Sequence, residues 1–336
     1  MSLTTPPRPH DPLEAVPDLA RFARSAVRLH PRRGEPVAAQ SSVGGPLLWP
    51  VEEPWPLCRL EHANLDITPF DLHLQMRYDR RMSELRDGGF TRMEFESRRN
   101  LADKIALDLV TEDDPEFDLD GPTPLVPVAQ LYYRDVPGLP WADRYDLLQI
   151  LWCPRDHTGT EHDTSYCPAF QLRWRRTDTI GESLTAVPEP ALVVERYMPN
   201  PCLLNPEVVT EYPISRNLPP ELEDAVNDWE NRLGVPALYD HQTSVAPGWK
   251  VMGHGGSWGV IDPEPMFCEC GAEQFPLFTV GSGEFDGGSR SWRPVEETGS
   301  GREFSDPVSV TIGRGYTLGL YYCPESEDHQ GRTEMF

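Results

Sequence analysis

The chain has 336 residues, enough for one large domain or two interlocked ones, and carries 54 acidic against 30 basic residues, a formal charge of −24. Such a surface repels phosphate backbones and anionic lipid, so no nucleic-acid or membrane binding is expected, and a protein partner should be basic rather than acidic. Seven cysteines, an odd number in a long chain, argue against a secreted disulfide framework and leave reduced thiols or metal ligands.

The opening Met-Ser-Leu-Thr-Thr-Pro-Pro-Arg lacks the apolar core of a signal peptide. No uncharged apolar run approaches the ~20 residues that cross a bilayer, and the expected location is the cytoplasm. Residues 1–12, polar and proline-rich, read as a flexible tail. Leu13, Val16, Leu19, Phe22, Ala23 and Val27 recur at helical spacing and predict a helix over 13–29, stopped by Pro31. Two helical patterns follow, Leu72–Leu85 and Met93–Leu109, separated by Gly88-Gly89. Pro127–Tyr133, Asp146–Trp152 and Phe170–Trp174 read as strands. In the second of these both faces are apolar, so it should lie inside a covered sheet. The stretch 187–247 is a proline-rich connector with short strands near Val193-Val194 and Val208-Val209. It ends in a helix over 220–233, with Pro220 at its start, Leu222, Val226, Trp229 and Leu233 on one stripe and Gly234 just past its end. Further strands are expected within 248–259, at Phe275–Val280, Val308–Ile312 and Tyr316–Tyr322, before a flexible tail over 326–336.

Two stretches read alike. Leu147–Trp152 closes in Cys153-Pro154 with Asp156-His157 beyond, and Thr317–Tyr322 closes in Cys323-Pro324 with Asp328-His329 beyond. Gly44-Gly45 with Trp49-Pro50 precedes the first, and Gly255-Gly256 with Trp258 the second. The pattern predicts an internal duplication, with an N-terminal half over 13–186 and a second repeat over 248–325, packed as one globular unit. From Gly45 to Cys153 is 108 positions and from Gly256 to Cys323 is 67, which places a helical insertion at about 70–112 of the first half.

These motifs together resemble the YwqG-like family, a bacterial domain family of unknown function. The likeness rests on Gly44-Gly45-Pro46 with Trp49-Pro50, the Ala129-Gln130-Leu131 strand, the Leu147-Leu148-Gln149-Ile150 strand closing in Cys153-Pro154, and Cys268-Glu269-Cys270-Gly271. It covers roughly residues 40–60 and 122–325. It implies an α+β, sheet-rich fold with antiparallel sheets from two related halves, and the helical insertion lies outside its pattern. It implies no catalytic residues. Its association with polymorphic-toxin gene neighbourhoods suggests an immunity or protein-binding role.

Several constellations bear on chemistry. Gly255-Gly256-Ser257-Trp258-Gly259 matches a nucleophile elbow, but Val260-Ile261, Pro263 and Pro265 exclude the helix an elbow needs. Glu116-Phe-Asp118-Leu-Asp120-Gly121 imitates the start of a calcium loop but lacks its closing glutamate. Cys268 and Cys270 can face one soft cation, and a structural Zn²⁺ would want two more ligands. Equivalence of the halves puts Cys58 opposite Cys268, which makes Cys58 a third ligand, with His254, Cys202 or water as the fourth. Cys153 with His157 and Cys323 with His329 form a second possible set, although their differing spacings, four and six, favour a strand-capping Cys and a solvated Asp-His turn in each. Trp49, Trp258, Glu284, Asp286, Arg290 and Trp292 are candidates for a recognition surface or polar pocket. The sequence therefore predicts a cytoplasmic, non-catalytic protein-binding or toxin-immunity-type module. The alternative is an enzyme that uses a cleft between the repeats, with a Cys-bound metal.

Overall fold

The computed structural model describes residues 3–84, 118–158, 166–255, 266–285, 288–298 and 305–336. The strands of the first part of the chain are β1 (Arg24–Arg28), β2 (Arg32–Arg33), β3 (Ser42–Val43), β4 (Leu57–Cys58), β5 (His62–Ala63), β6 (Ile67–Pro69), β7 (Thr123–Pro124), β8 (Val126–Tyr132) and β9 (Leu147–Trp152). They are followed by β10 (Asp156–His157), β11 (Phe170–Arg175), β12 (Leu192–Val194), β13 (Cys202–Leu203), β14 (Glu207–Glu211), β15 (Lys250–Met252), β16 (Phe275–Gly281), β17 (Thr317–Tyr322) and β18 (Thr333–Met335). Among the described residues the α-helices are α1 (Pro12–Ala15), α2 (Phe70–Glu84) and α3 (Pro220–Leu233). The architecture is α+β with antiparallel sheets. Two of these are six-stranded, in the orders β11-β9-β8-β3-β13-β2 and β14-β1-β15-β16-β17-β18.

One apolar cluster takes residues from both large sheets, among them Val128, Ile150 and Trp152 from one and Val251, Phe278 and Leu320 from the other. Strand β9 is buried along its whole length. Its Leu148, Ile150 and Trp152 enter this shared core, while Leu151 turns to a second cluster under Trp49 and Trp55. The alternating pattern has two buried faces because both sides of the strand are covered.

The central strands of the two sheets share a local geometry. In one, β8 pairs with β9 through a bulge between Pro127 and Ala129, and Val43 of β3 lies opposite Ala129. In the other, β16 pairs with β17 through a bulge between Pro276 and Phe278, and Val251 of β15 lies opposite Phe278. A proline donates no ladder hydrogen bond, which is why the slip falls just after it in both. The residues following β3 and closing β15, Gly44 (φ 62°) and Met252 (φ 60°), both take the left-handed conformation. This register sets Gly44-Gly45 against Met252-Gly253, three residues before the Gly-Gly pair that the sequence motif selects.

Helix α3 keeps its expected bounds and ends on Gly234, whose φ of 68° suits glycine. The expected helix over 13–29 does not form. Pro17 cannot continue α1, a short 3₁₀ turn spans Pro17–Phe22, and the chain then becomes β1 between β14 and β15. Pairing in a sheet interior outweighs the helical spacing of the apolar residues. Both expected tails are docked as well. Thr5 donates through its N–H and hydroxyl to Glu207, Arg8 stacks on Tyr212, and β18 pairs with β17. Val308–Ile312 adds buried side chains but no ladder, only an Ile312–Tyr316 bridge. Of the insertion, α2 is described; the helix expected at Met93–Leu109 lies outside the described residues.

A buried ion pair joins the strands on either side of β1. Lys250 Nζ lies 2.8 and 2.7 Å from the two Glu211 carboxylate oxygens and donates to the His254 carbonyl at 2.8 Å. The same carboxylate accepts the N–H groups of Ala246 and His254. Only two lysines occur in the chain, and this one has all three donors matched. Gly253, with φ 78°, packs against Glu211 and Ala26 where a Cβ would collide. Lys250→Met should lower stability by about 3–5 kcal/mol because it strands a buried carboxylate, and adding Glu211→Leu should recover much of that loss. Urea denaturation of the two single variants and the double variant reads this coupling.

Glu207 shows a second dependence, on pH. Burial raises its pKa, but hydrogen bonds from His30 and Thr5 outweigh that and bring it down to about 2 from the usual 4.5. Its stabilisation is therefore full above pH 4.5 and is lost as pH falls from 4.5 towards 2. Glu207→Gln should cost on the order of 1–3 kcal/mol at neutral pH and flatten the acid limb of the stability curve.

Candidate metal centres

Two groups of cysteine and histidine form where the chain leaves β9 and β17. The first contains Cys58, His62, Cys153 and His157, all buried, with one ligand atom from each lying within 4.8 Å of the others. Its framework is a short ribbon in which β5 and β10 pair antiparallel, placing His62 opposite His157 with ring centroids 5.1 Å apart. Each histidine follows a cysteine by four positions, and the contacts cross over. Cys58 Sγ is 3.3 Å from His157 Nε2, and Cys153 Sγ is 3.3 Å from His62 Nε2.

The second contains Cys268, Cys270, Cys323 and His329, again within 4.8 Å. Cys270 Sγ lies 3.6 Å from Cys323 Sγ. His329 Nδ1 is 3.3 Å from Cys323 Sγ and 3.6 Å from Cys268 Sγ. A tight turn presents the Cys-x-Cys pair: Cys268 donates its N–H to Ala272, and Gly271, at φ 87°, donates back to Cys268.

Around a tetrahedral ion with bonds of ~2.3 Å to sulfur and ~2.0–2.1 Å to nitrogen, ligand atoms stand about 3.3–3.8 Å from one another. The short contacts in both groups fall in that range. The donor sets, two thiols with two imidazoles and three thiols with one, are those of tetrahedral soft-metal sites. Both groups can thus hold a metal ion by geometry.

Their surroundings differ. In the first, the Nδ1 of His157 lies 3.1 Å from the Cys167 carbonyl, which fixes the ring with Nε2 towards Cys58. Asp156, on the same ribbon, is clamped by the Tyr197 hydroxyl at 2.6 Å and by Arg196 at 2.8 Å. Arg155, buried beside the two thiols, bonds Asn64. In the second, Cys270 is exposed, and Cys268, Cys270 and His329 line a cavity of about 440 Å³ with Gln274 and Asp328.

Protons are shared unequally within each group. The contact with Cys153, then those with His157 and His62, holds the Cys58 thiol far below its ordinary range against the effect of burial; burial, with the neighbouring Cys58, holds Cys153 well above it. Burial opposes ionisation of Cys268, but the Cys270 N–H and the adjacent thiols bring it down, while burial pushes Cys323 up to about 11.

The structure places Cys58 apart from Cys268 and Cys270, in the first group. His254 and Cys202 join neither: His254 donates its N–H to Glu211, and Cys202 contacts the Pro307 carbonyl. Cys153 with His157 and Cys323 with His329 do not form one set but supply half of each. His62 was missing from the expectation, although Cys58-x-x-x-His62 repeats the spacing of Cys153-x-x-x-His157.

Of the proposed recognition residues that are described, three are buried and one is exposed. Trp49 is fully buried against Trp55 and donates its indole N–H to Glu53. Trp292 is buried beneath Arg8 and Arg28 and donates to the His241 carbonyl. Glu284 is buried 3.6 Å from Arg32. Arg290 is exposed, while Trp258 and Asp286 lie outside the described residues. Large aromatic rings flanking glycine turns serve here to fill the core.

No protein-family model matches the chain, and no curated protein matches it. No helix among the described residues is long and apolar enough to cross a membrane.

Proposed function

We propose that this chain is a non-catalytic protein-binding module of YwqG-like type, built from two related halves that are each fastened by one structural zinc ion. The observation that carries this reading is the pair of Cys/His tetrads, each at the end of a buried central strand and each with its ligand atoms within 4.8 Å of one another. Both centres draw two ligands from the link between the first and second strands of a three-strand unit and two from the chain after the third. The matching bulges after Pro127 and Pro276 support descent of the two units from one ancestor.

Four protein ligands per ion leave no position for a substrate, which favours a structural over a catalytic role. The formal charge of −24 favours a basic protein partner, drawn in by long-range attraction, and a cytoplasmic setting keeps the thiols reduced. A toxin-immunity role would fit such a partner.

Elemental analysis of protein purified without added metal should find about two zinc ions per chain. Cys153→Ser and Cys268→Ser should each reduce this to about one, and Cys153→Ser should lower the melting temperature by at least about 5 °C. Metal-free, fully folded protein would refute the zinc reading. The binding reading predicts that affinity capture retains a basic partner at low salt and loses it as ionic strength rises. Capture with no such partner, or with salt-independent binding, would refute it.

A further inference from the structure

We propose that the second centre, and not the first, is a modification site for hydrogen peroxide: oxidation joins Cys270 to Cys323 and expels the zinc ion. This rests on the two-zinc reading. Of the seven cysteines, Cys270 alone is exposed. It lines the cavity of about 440 Å³, ample room for peroxide to reach its sulfur. The resolving thiol is already in place, since Cys323 Sγ is 3.6 Å away and itself buried. The first centre offers no such route: Cys58 is 5% exposed and Cys153 fully enclosed. Its sulfurs sit beneath Trp49 and Trp55 in an apolar cluster.

The step balances. The Cys270 thiolate attacks one peroxide oxygen and breaks the O–O bond, giving a sulfenic acid and hydroxide, which takes up a proton. The Cys323 thiolate then attacks the Cys270 sulfur and displaces a second hydroxide, also protonated to water. Two thiolates lose two electrons to peroxide, two protons are consumed, and a disulfide and two waters result. Zinc keeps only Cys268 and His329, too few to hold it, and leaves as Zn²⁺. Reduction by a dithiol in the presence of zinc reverses the change. The segment affected is local: Cys323 and His329 flank the turn that leads into β18.

The test uses the full-length protein loaded with zinc, treated with hydrogen peroxide and followed by a chromogenic zinc indicator and by mass spectrometry of differentially alkylated peptides. The expected result is release of about one of two zinc ions, a Cys270–Cys323 disulfide, and retention of the other ion until the protein is denatured. Cys270→Ser, which lacks a ligand of the second centre, should start from about one zinc ion and keep it under peroxide, with Cys323 left reduced and the overall fold, read by circular dichroism, intact; peroxide-driven loss of that remaining ion overturns the selectivity for the second centre. Protein holding two zinc ions that releases neither, releases both together, or forms a different disulfide overturns the proposal and leaves the two-centre reading standing. Protein that never holds zinc overturns both.

Discussion

A strand buried on both faces has to place its last polar groups somewhere. Strand β9 is such a strand, and the chain leaving it stays enclosed through Cys153, Arg155, Asp156 and His157. Isolated, each of these groups would carry a desolvation cost of a few kcal/mol. The fold brings the second Cys-x-x-x-His segment across from the first, so that thiols and imidazoles face one another and Asp156 meets Tyr197 and Arg196. Apolar packing above, from Trp49 and Trp55, is possible only because the polar groups below are gathered at one point.

The same logic governs the other sheet at a different place. Lys250 and Glu211 are enclosed, and each proton and oxygen lone pair of the pair has a partner in the adjoining backbone or in the other side chain. The close approach of Gly253 belongs to this arrangement, because a side chain there would occupy the space of the carboxylate. Burying ions contributes little net stability compared with apolar replacements, so the pair acts more as a fixed register between β14 and β15 across β1 than as a source of free energy.

Elements whose cause is local could be read from the sequence. Pro220 and Gly234 bracket α3, and alternating apolar residues locate β8, β9, β16 and β17. Elements whose cause is distant could not. The spacing of Leu13 to Val27 suits a helix, yet Ala26 and Val27 pair with Val209, Val208, Met252 and Val251, which lie roughly two hundred residues further on. The N-terminal segment looked polar and loose because its partners, Glu207 and Glu296, are equally remote. The candidate site was half legible. Cys-x-Cys pointed to the second group, where Cys268 and Cys270 meet Cys323 and His329. Cys58 was expected to join Cys268 and Cys270 as a third ligand, whereas it lies in the first group with His62, Cys153 and His157. His62 alone would have separated the two, because a second Cys-x-x-x-His in the first half supplies a complete ligand set without borrowing from the other.

The contrast between the two groups follows from what surrounds β9 and β17. After β9 the chain runs into β10, which is held by β5, and both thiols, Cys58 and Cys153, are buried in one cluster with Trp49 and Trp55. After β17 the chain runs to an edge: among the described residues, β18 is the outermost strand of its sheet. A side chain near a sheet edge has fewer layers to cover it, and Cys270, in the turn before β16, is exposed. The accessible group has three cysteines and one histidine, so more of its donors are soft, nucleophilic sulfur. The buried centre keeps the balanced set of two sulfurs and two nitrogens. Position within the sheet thus divides the roles: an enclosed ligand set can only hold the fold together, while an edge set can also meet a reagent from solvent.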